Sequence, residues 1–278
     1  MCRPIIFGLI FIISFMVYTL YGPSRRSYIE PFYIEPFQDS PAPSKKSLPF
    51  DKCFVINLSE LAEGRRRWAV MQKHPILSPH VIRFPGIYGK GYDWTDEVRQ
   101  GIIKTEWDRG AWQRAGREMV EMDPGEIGCI LSHRNLWTTI VQQRIPITLV
   151  LEDDAIRLDP QFLEITQTLV SKLPTDWDIL LLGFWLHRGD NGSPIHNGLS
   201  RVRDFVLLHA YLLSVKGAKT LLRLGSIDMP LDSWISRHSD TLHIYRHNYV
   251  RHPGSKTPAS RLIRQQRVEK QIKNTNNW

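Results

Sequence analysis

Apolar segments of strand length alternate with amphipathic segments of helix length along the central part of this 278-residue chain. Six segments have the apolar run or the alternation typical of strands: 52–58, 80–84, 147–151, 177–182, 206–214 and 242–250. Five have the spacing or start signals of helices: 60–73, 123–143, 160–173, 216–224 and 230–237. The alternation predicts an α/β domain over residues 51–258 with a mainly parallel central sheet. Ligands of such sheets bind at the carboxyl ends of the strands.

The helix predicted at 123–143 has the clearest start signal. Asp123 is a suitable N-cap, Pro124 takes the first helical position, and Glu126 completes a capping box. Residues 86–118, rich in glycine, tryptophan and charge, are assigned to neither helix nor strand and are interpreted as an insertion. Residues 186–200 are expected to form a loop, because glycine, asparagine and proline are frequent there.

The N-terminal region predicts a membrane anchor and a stem. Residues 4–21 are 18 consecutive residues without a charge, enough to span a bilayer as a helix. No small-residue cleavage site follows, so we expect an uncleaved signal anchor at 1–22 in a single-pass membrane protein, with a cleaved signal peptide as the alternative. Residues 23–50 repeat the sequence YIEPF and are rich in proline, which predicts an extended stem. The positive-inside rule weakly favours a cytoplasmic domain and leaves a lumenal one open.

The net charge of +8 is unevenly distributed, and the predicted tail at 259–278 is strongly basic. Five basic residues recur there every three positions: Arg261, Arg264, Arg267, Lys270 and Lys273. No aromatic residue interleaves them and no nucleic-acid module is visible, so nucleic acid is not an expected partner. Contact with a membrane surface or with solvent is the favoured interpretation.

The cysteines do not match the sequence patterns of two common kinds of site. Cys2, Cys53 and Cys129 are odd in number, and their spacing fits neither a disulfide framework nor a zinc motif. Cys2 borders the apolar segment, where it is open to acylation. Cys53 and Cys129 lie in apolar surroundings and are expected to be buried thiols.

Three successive acids, Glu152, Asp153 and Asp154, follow the strand predicted at 147–151. Their charges require compensation, and carboxylate oxygens suit Mn²⁺ or Mg²⁺ bound together with substrate phosphates. Because successive strand residues point to opposite faces, we expect Glu152 and Asp154 on one side and Asp153 on the other. Asp154 is the first metal candidate and Asp153 the second, and Asp153 or Glu152 would alternatively bind ribose or metal-bound water. The alternative is that such acids merely cap the next helix, as Asp159 is placed to do.

Further candidates lie outside this cluster. If a sugar is transferred with inversion, a base must accept the proton of the acceptor hydroxyl, and Asp232 is the candidate. The alternative for Asp232 is a favourable negative charge in the first turn of a helix. The three arginines at 65–67, close after Asn57 at the end of the first predicted strand, are placed to reach a nucleotide, and Arg65 is the selected candidate. A solvated helix face is the alternative for at least one of the three. His252 belongs to a turn that could close over phosphates and is a further metal candidate.

Several short motifs together resemble glycosyltransferase family 25, which includes lipooligosaccharide and collagen galactosyltransferases. The matching stretches are FVINL at 54–58, GEIGCILSH at 125–133, LVLEDDA at 149–155, WDILLL at 177–182, HAYLLSVKGAK at 209–219 and PLD at 230–232. The resemblance implies a GT-A-type nucleotide-sugar fold, an acidic metal motif at 152–154 and UDP-galactose as the usual donor. It also implies that Ser132 and His133 line the site. Asn57, in the matching stretch FVINL, is a further candidate for binding the nucleotide, and a hydroxyl of a glycan or protein is the expected acceptor.

Two other classes of protein remain open at this point. Clustered acids near basic residues also suit a metal-dependent phosphohydrolase or nuclease. A membrane-tethered carbohydrate-binding protein that has a transferase fold but no activity is the second alternative.

Overall fold

The computed structural model describes residues 48–110, 116–186, 193–196, 198–248, 260 and 262–264. The predicted anchor, most of the stem, most of the basic tail and His252 lie outside these residues. Among the helices that are described, none combines the length and apolar character needed to cross a membrane.

The strands lie close to the segments predicted for them, with additional short ones. In chain order they are β1 (Lys52–Asn57), β2 (Val81–Pro85), β3 (Glu106–Asp108), β4 (Met119–Glu121), β5 (Ile147–Glu152), β6 (Arg157–Leu158), β7 (Ile179–Leu186), β8 (Ser193–His196), β9 (Leu199–Arg201), β10 (Phe205–Ser214), β11 (Ile244–His247) and β12 (Ile263–Arg264). The helices are α1 (Ala62–Met71), α2 (Thr95–Arg99), α3 (Pro124–Gln142), α4 (Phe162–Val170), α5 (Val215–Arg223) and α6 (Leu231–Arg237).

Eight strands form one sheet in the order β2-β1-β5-β10-β7-β11-β9-β8. The α/β class is confirmed, but the sheet is mixed rather than mainly parallel. β1 is parallel to β2 and β5, and β7 is parallel to β11, whereas β10 is antiparallel to β5 and β7. Parallel neighbours need a crossover connection, while β10 follows β7 by way of the antiparallel pair β8 and β9. A continuous apolar run does not reveal its direction, so the sequence pattern missed this reversal.

Both faces of the sheet are covered. On one face, Cys53, Leu149 and Leu151 belong to an apolar core that also contains Phe162 and Leu169 of α4. The opposite face carries Phe54, Val150 and Tyr211, which are register neighbours on β1, β5 and β10. The Tyr211 hydroxyl is hydrogen-bonded there to Trp137 of α3. The apolar runs therefore reflect burial on two sides, as the sequence indicated.

The predicted start of α3 is confirmed in detail. Asp123 accepts a hydrogen bond from the Gly125 N–H, and Glu126 accepts one from the Asp123 N–H, which completes the capping box. In residues 86–118, which the sequence pattern left unassigned, the described part contains a 3-10 turn at Gly89–Gly91, the short helix α2 and strand β3, which pairs antiparallel with β4 just after this segment. The turn at Gly89–Gly91 packs against α3 near the site described below.

Candidate functional site

A cavity of about 420 Å³ lies at the carboxyl ends of β1 and β5. These parallel strands end at the same edge, because Ile56 of β1 is in register with Glu152 of β5. The lining residues come from these strand ends, from α1, from residues 86–90 and from α3: Ile56, Leu58, Leu61, Glu63, Gly64, Arg67, Gly86, Ile87, Tyr88, Gly89, Lys90, Gly125, Cys129, Ser132, His133, Glu152, Asp153 and Asp154. The cavity therefore occupies the edge of the sheet where the sequence placed a ligand.

The three acids all line this cavity, which differs from the strict alternation expected of a strand. Strand β5 ends at Glu152, and the Ala155 N–H donates to the Glu152 carbonyl in a turn. Asp153 and Asp154 are nevertheless buried. The expectation that Asp153 faces away from the other two acids is wrong, because the chain leaves the strand before the alternation can continue.

Asp153 is held by side chains of β1 and α1. One of its carboxylate oxygens accepts a hydrogen bond from Asn57 Nδ2 at 2.5 Å, and the other pairs with Arg67 Nη1 at 2.8 Å. Asn57 is itself buried, donates to the Gly64 carbonyl at 2.8 Å, and accepts two hydrogen bonds from Arg83. All donors and acceptors of the Asn57 amide are thus used within the protein. Asn57 contacts Asp153 from within the protein and orients its carboxylate.

Arg65 and Arg67 have different surroundings. The Arg65 guanidinium donates to the carbonyls of Ser59 and Glu60 on the surface, whereas Arg67 lines the cavity. The sequence placed all three arginines at 65–67 within reach of a nucleotide and favoured Arg65, whereas the structure places Arg67 at the cavity. Gly64 and Met71 are the buried residues of α1, and Arg67 lies between them at helical spacing, so the helix period was the available signal.

Ser132 and His133 both lie in the wall that α3 contributes. Ser132 Oγ accepts from the Ile87 N–H at 2.7 Å and donates to the Gly128 carbonyl, which fixes residues 86–90 against the helix. His133 Nδ1 lies 2.9 Å from the Tyr211 hydroxyl oxygen, and its Nε2 lies 3.6 Å from Glu152 Oε1. The structure therefore brings His133 to the acidic cluster, and Ser132 lines the same cavity.

A second cavity of about 210 Å³ adjoins the first. Its lining consists of Glu126, Cys129, Glu152, Leu207, Leu208, Pro230, Leu231 and Asp232. Cys129 and Glu152 line both cavities, so the two spaces meet at this pair. Asp232 and the acidic cluster, far apart in sequence, are thus brought to neighbouring cavities.

The Asp232 carboxylate is anchored by backbone groups. Its oxygens accept hydrogen bonds from the N–H groups of Leu207 and Ser233, each at 2.7 Å. Leu207 has a φ of 66°, in the left-handed region that a branched side chain disfavours, and the hydrogen bond that its N–H donates to Asp232 helps to hold this conformation. Burial raises the pKa of Asp232 above its ordinary value, and burial does the same for Glu126.

Cys129 is the other residue that the sequence pattern did not select. Its Sγ lies 4.0 Å from Glu152 Oε1. Burial raises the pKa of this thiol well above its ordinary value, and the negative charge of Glu152 adds to the effect. No spacing rule could have found this arrangement, because Glu152 comes from a different element.

Comparison with known proteins assigns the chain that forms this site to a family. The model of glycosyltransferase family 25 (LPS biosynthesis protein) matches residues 50–191, which include Asn57, α3 and residues 152–154. The chain belongs to glycosyltransferase family 25. The family resemblance that the sequence motifs suggested is therefore confirmed.

Relatives within glycosyltransferase family 25 include larger animal proteins. Procollagen galactosyltransferase 1-A of Xenopus laevis is 28% identical over 216 residues, which is 74% of this chain and 34% of that protein. Procollagen galactosyltransferase 1 of Danio rerio is 27% identical over 67% of this chain and 31% of its own length. A glycosyltransferase 25 family member of Drosophila melanogaster is 26% identical over 69% of this chain and 31% of its own length. The match spans about a third of the length of these relatives.

Proposed function

We propose that this chain is a metal-dependent galactosyltransferase that moves galactose from UDP-galactose to a hydroxyl of a glycan or protein acceptor. One observation carries the proposal: three successive carboxylates line a single cavity at the carboxyl edge of β1 and β5 in a family 25 glycosyltransferase chain. The cavity, at about 420 Å³, is within the usual size of small-ligand sites. The names of the Xenopus and Danio relatives support galactose as the transferred sugar.

The donor set fits Mn²⁺ or Mg²⁺, because both prefer carboxylate oxygens. Asp154 would bind the ion, whereas the oxygens of Asp153 already accept hydrogen bonds from Asn57 and Arg67. When bound, the ion would offset negative charge on the departing diphosphate. Asp153 thus ties the acidic cluster to β1 and α1, and Arg67 balances part of its charge.

Two cations are placed to assist the phosphates. Arg67 and Lys90 both line the cavity, on α1 and on the Gly89–Gly91 turn respectively. The Arg67 guanidinium donates to Glu63 through Nε and to Asp153 through Nη1, so its remaining N–H groups can face a phosphate. The position of residues 86–90 depends on Ser132, which accepts a hydrogen bond from the Ile87 N–H.

The second cavity is the proposed place of the acceptor. Asp232 lines it, and Glu152 lies at the passage to the first cavity. Asp232 would accept the proton of the attacking hydroxyl, in an inverting transfer. Two backbone N–H groups hold its carboxylate in place, and burial raises its pKa, which makes it a stronger base.

The test compares wild type with Asp154→Asn in the purified full chain, with Mn²⁺ and with chelator. Asp159→Asn is the matched control, because Asp159 follows on the same segment and caps the turn before α4, a role that asparagine also performs. We expect Mn²⁺-dependent UDP release, greatest with UDP-galactose, that falls roughly 100-fold or more in Asp154→Asn and persists in Asp159→Asn.

Other results would point to the two alternatives. A folded chain that binds no UDP but hydrolyses phosphate esters would indicate a phosphohydrolase. Metal-dependent UDP binding without turnover on glycan or protein acceptors would indicate a binding protein. UDP release that is unaffected by chelator would contradict metal dependence.

A further inference from the structure

Cys129, His133 and Glu152 form a cluster at the wall between the two cavities. Helix α3 presents Cys129 and His133 one turn apart, and Glu152, the last residue of β5, faces them. One ligand atom from each residue lies within 4.8 Å of the other two. Glu152 Oε1 is 3.6 Å from His133 Nε2 and 4.0 Å from Cys129 Sγ.

His133 Nε2 points into this cluster and has no hydrogen-bond partner. The residue is 1% exposed, and Nε2 forms no hydrogen bond. The separation of 3.6 Å from Glu152 is too long for one. A buried polar atom left unsatisfied costs free energy, so its presence needs an explanation.

The other ring nitrogen of His133, Nδ1, has a hydrogen-bond partner. Nδ1 lies 2.9 Å from the Tyr211 hydroxyl oxygen, which also accepts a hydrogen bond from Trp137 Nε1 at 3.0 Å. Histidine ligands of metal ions have such a partner on the second nitrogen, because it fixes the direction of the first. Tyr211 thus keeps Nε2 aimed at Cys129 and Glu152.

We propose that Cys129, His133 and Glu152 form a binding site for a thiophilic divalent cation of the Zn²⁺ type, separate from the hard-cation site at Asp154. A thiolate, an imidazole and a carboxylate are the ligands that zinc uses, and a thiolate disfavours Mn²⁺ and Mg²⁺. Zinc bond lengths place neighbouring ligand atoms about 3.3–3.8 Å apart, so side-chain movements of about 1 Å close the cluster. The cavities leave a fourth position open to water.

Zinc bound at this cluster would inhibit the galactosyl transfer. This part of the inference rests on the proposed function. Glu152 and Cys129 line both cavities, so an ion bound to them stands between the donor and acceptor spaces. It would also engage the Glu152 carboxylate beside Asp154. The site would therefore make the enzyme sensitive to zinc while Mn²⁺ supports its activity.

The test of the site uses Co²⁺, which replaces Zn²⁺ and reports its ligands spectroscopically. We expect Co²⁺ added to the metal-free full chain to produce a thiolate-to-cobalt charge-transfer band that saturates at one equivalent bound to this cluster and that Zn²⁺ abolishes. Cys129→Ser should lose the band, and Tyr211→Phe should weaken binding roughly 10-fold. Cys2→Ser, Cys53→Ala and Asp154→Asn should keep it. Absence of the band in wild type, or its persistence in Cys129→Ser, would overturn the site.

The inhibitory role is measured separately, as the zinc concentration that halves Mn²⁺-dependent UDP release relative to each variant's own activity. We expect at least a 10-fold higher concentration for Cys129→Ser than for Cys53→Ala, because Cys53 is buried on the opposite face of the sheet. Equal zinc sensitivity of the two variants would overturn inhibition through this cluster. The cobalt spectrum does not require turnover, so failure of the proposed transfer would be distinguishable.

Discussion

At the scale of single residues, the site depends on which side chain of a similar pair faces the cavity. Arg65 and Arg67 are two positions apart on α1, yet only Arg67 lines the cavity and pairs with Asp153. The Arg65 guanidinium instead holds carbonyls of the preceding loop. Identical side chains therefore have separate roles, which substitution can distinguish.

Arg67→Ala is expected to weaken metal-dependent UDP binding roughly 10- to 100-fold, the cost of a charged hydrogen bond of about 1.5–3 kcal/mol. Without Arg67, the negative charge of Asp153 is less compensated and repels the diphosphate more strongly. Isothermal titration with UDP and Mn²⁺ measures the effect. Arg65→Ala is the matched control and should change the affinity less than threefold. Equal losses in the two variants would contradict the assignment of Arg67.

Asp232 predicts a pH dependence. A base acts only when it has lost its proton, and burial raises the pKa of this carboxyl. Activity should therefore fall as the pH drops through that raised pKa, at a higher pH than for an exposed aspartate. Asp232→Asn should lower kcat roughly 100- to 10,000-fold and remove this acidic limb from the profile of kcat/KM against pH.

Glu126→Gln is the control for Asp232, because Glu126 lines the same cavity and burial also raises its pKa. Glutamine preserves the capping box of α3, so the helix should keep its start. We expect the acidic limb to persist in Glu126→Gln. If the limb disappears there and remains in Asp232→Asn, the base is Glu126.

At the scale of elements, α3 supports much of the site. Its capped N-terminus places Gly125, Cys129, Ser132 and His133 along one face that lines the first cavity. The spacing of these residues follows the helical period. The same helix is anchored in the core through Trp137, so the face toward the cavity has a fixed orientation.

The close contact between α3 and the turn at Gly89–Gly91 requires glycine at 128. A Cβ at Gly128 would lie 2.5 Å from the Ile87 carbonyl oxygen and 2.8 Å from the Gly89 nitrogen, which are backbone atoms. Gly128→Ala should therefore lower the free energy of unfolding by about 1–3 kcal/mol and weaken UDP binding, because residues 86–90 form a cavity wall. Denaturant unfolding and titration measure the two effects.

Gly91→Ala is the matched control for Gly128. A Cβ there would meet Tyr88 Cδ1 at an ordinary 3.6 Å, so the free energy of unfolding should change by less than about 0.5 kcal/mol. A stable Gly128→Ala variant with unchanged UDP affinity would contradict the role of this contact in shaping the cavity.

At the scale of the whole molecule, the cavity joins segments that are distant in sequence: β1, α1, residues 86–90, α3 and the end of β5. A ligand that binds this folded arrangement and not the unfolded chain stabilises the fold. With Mn²⁺ present and UDP at 100 times its dissociation constant, the gain should be about 2.7 kcal/mol. For a domain of this size the melting temperature should rise by about 5–10 °C.

Asp154→Asn should lose this thermal shift while melting cooperatively, and UDP without the metal ion should produce a much smaller one. Scanning calorimetry measures both. A shift of equal size in Asp154→Asn would contradict the placement of the ion at Asp154. This measurement reports donor binding even where the acceptor is not known.

The sequence by itself determined much of the fold, because local patterns carry it. Apolar runs predicted the positions of β1, β5 and β7, and the capping residues predicted the start of α3. The acids at 152–154 were recognisable because three charges directly after a buried strand need compensation. Family membership followed from short motifs in a consistent order.

Only the tertiary structure decided the arrangements between elements. An apolar run satisfies both sheet directions, so the reversal at β10 depended on the connection through β8 and β9. Arg67 rather than Arg65 faces the cavity because of how α1 packs on β1. Cys129, His133 and Glu152 meet because α3 crosses the end of β5, and no spacing along the chain encodes a contact between side chains of different elements.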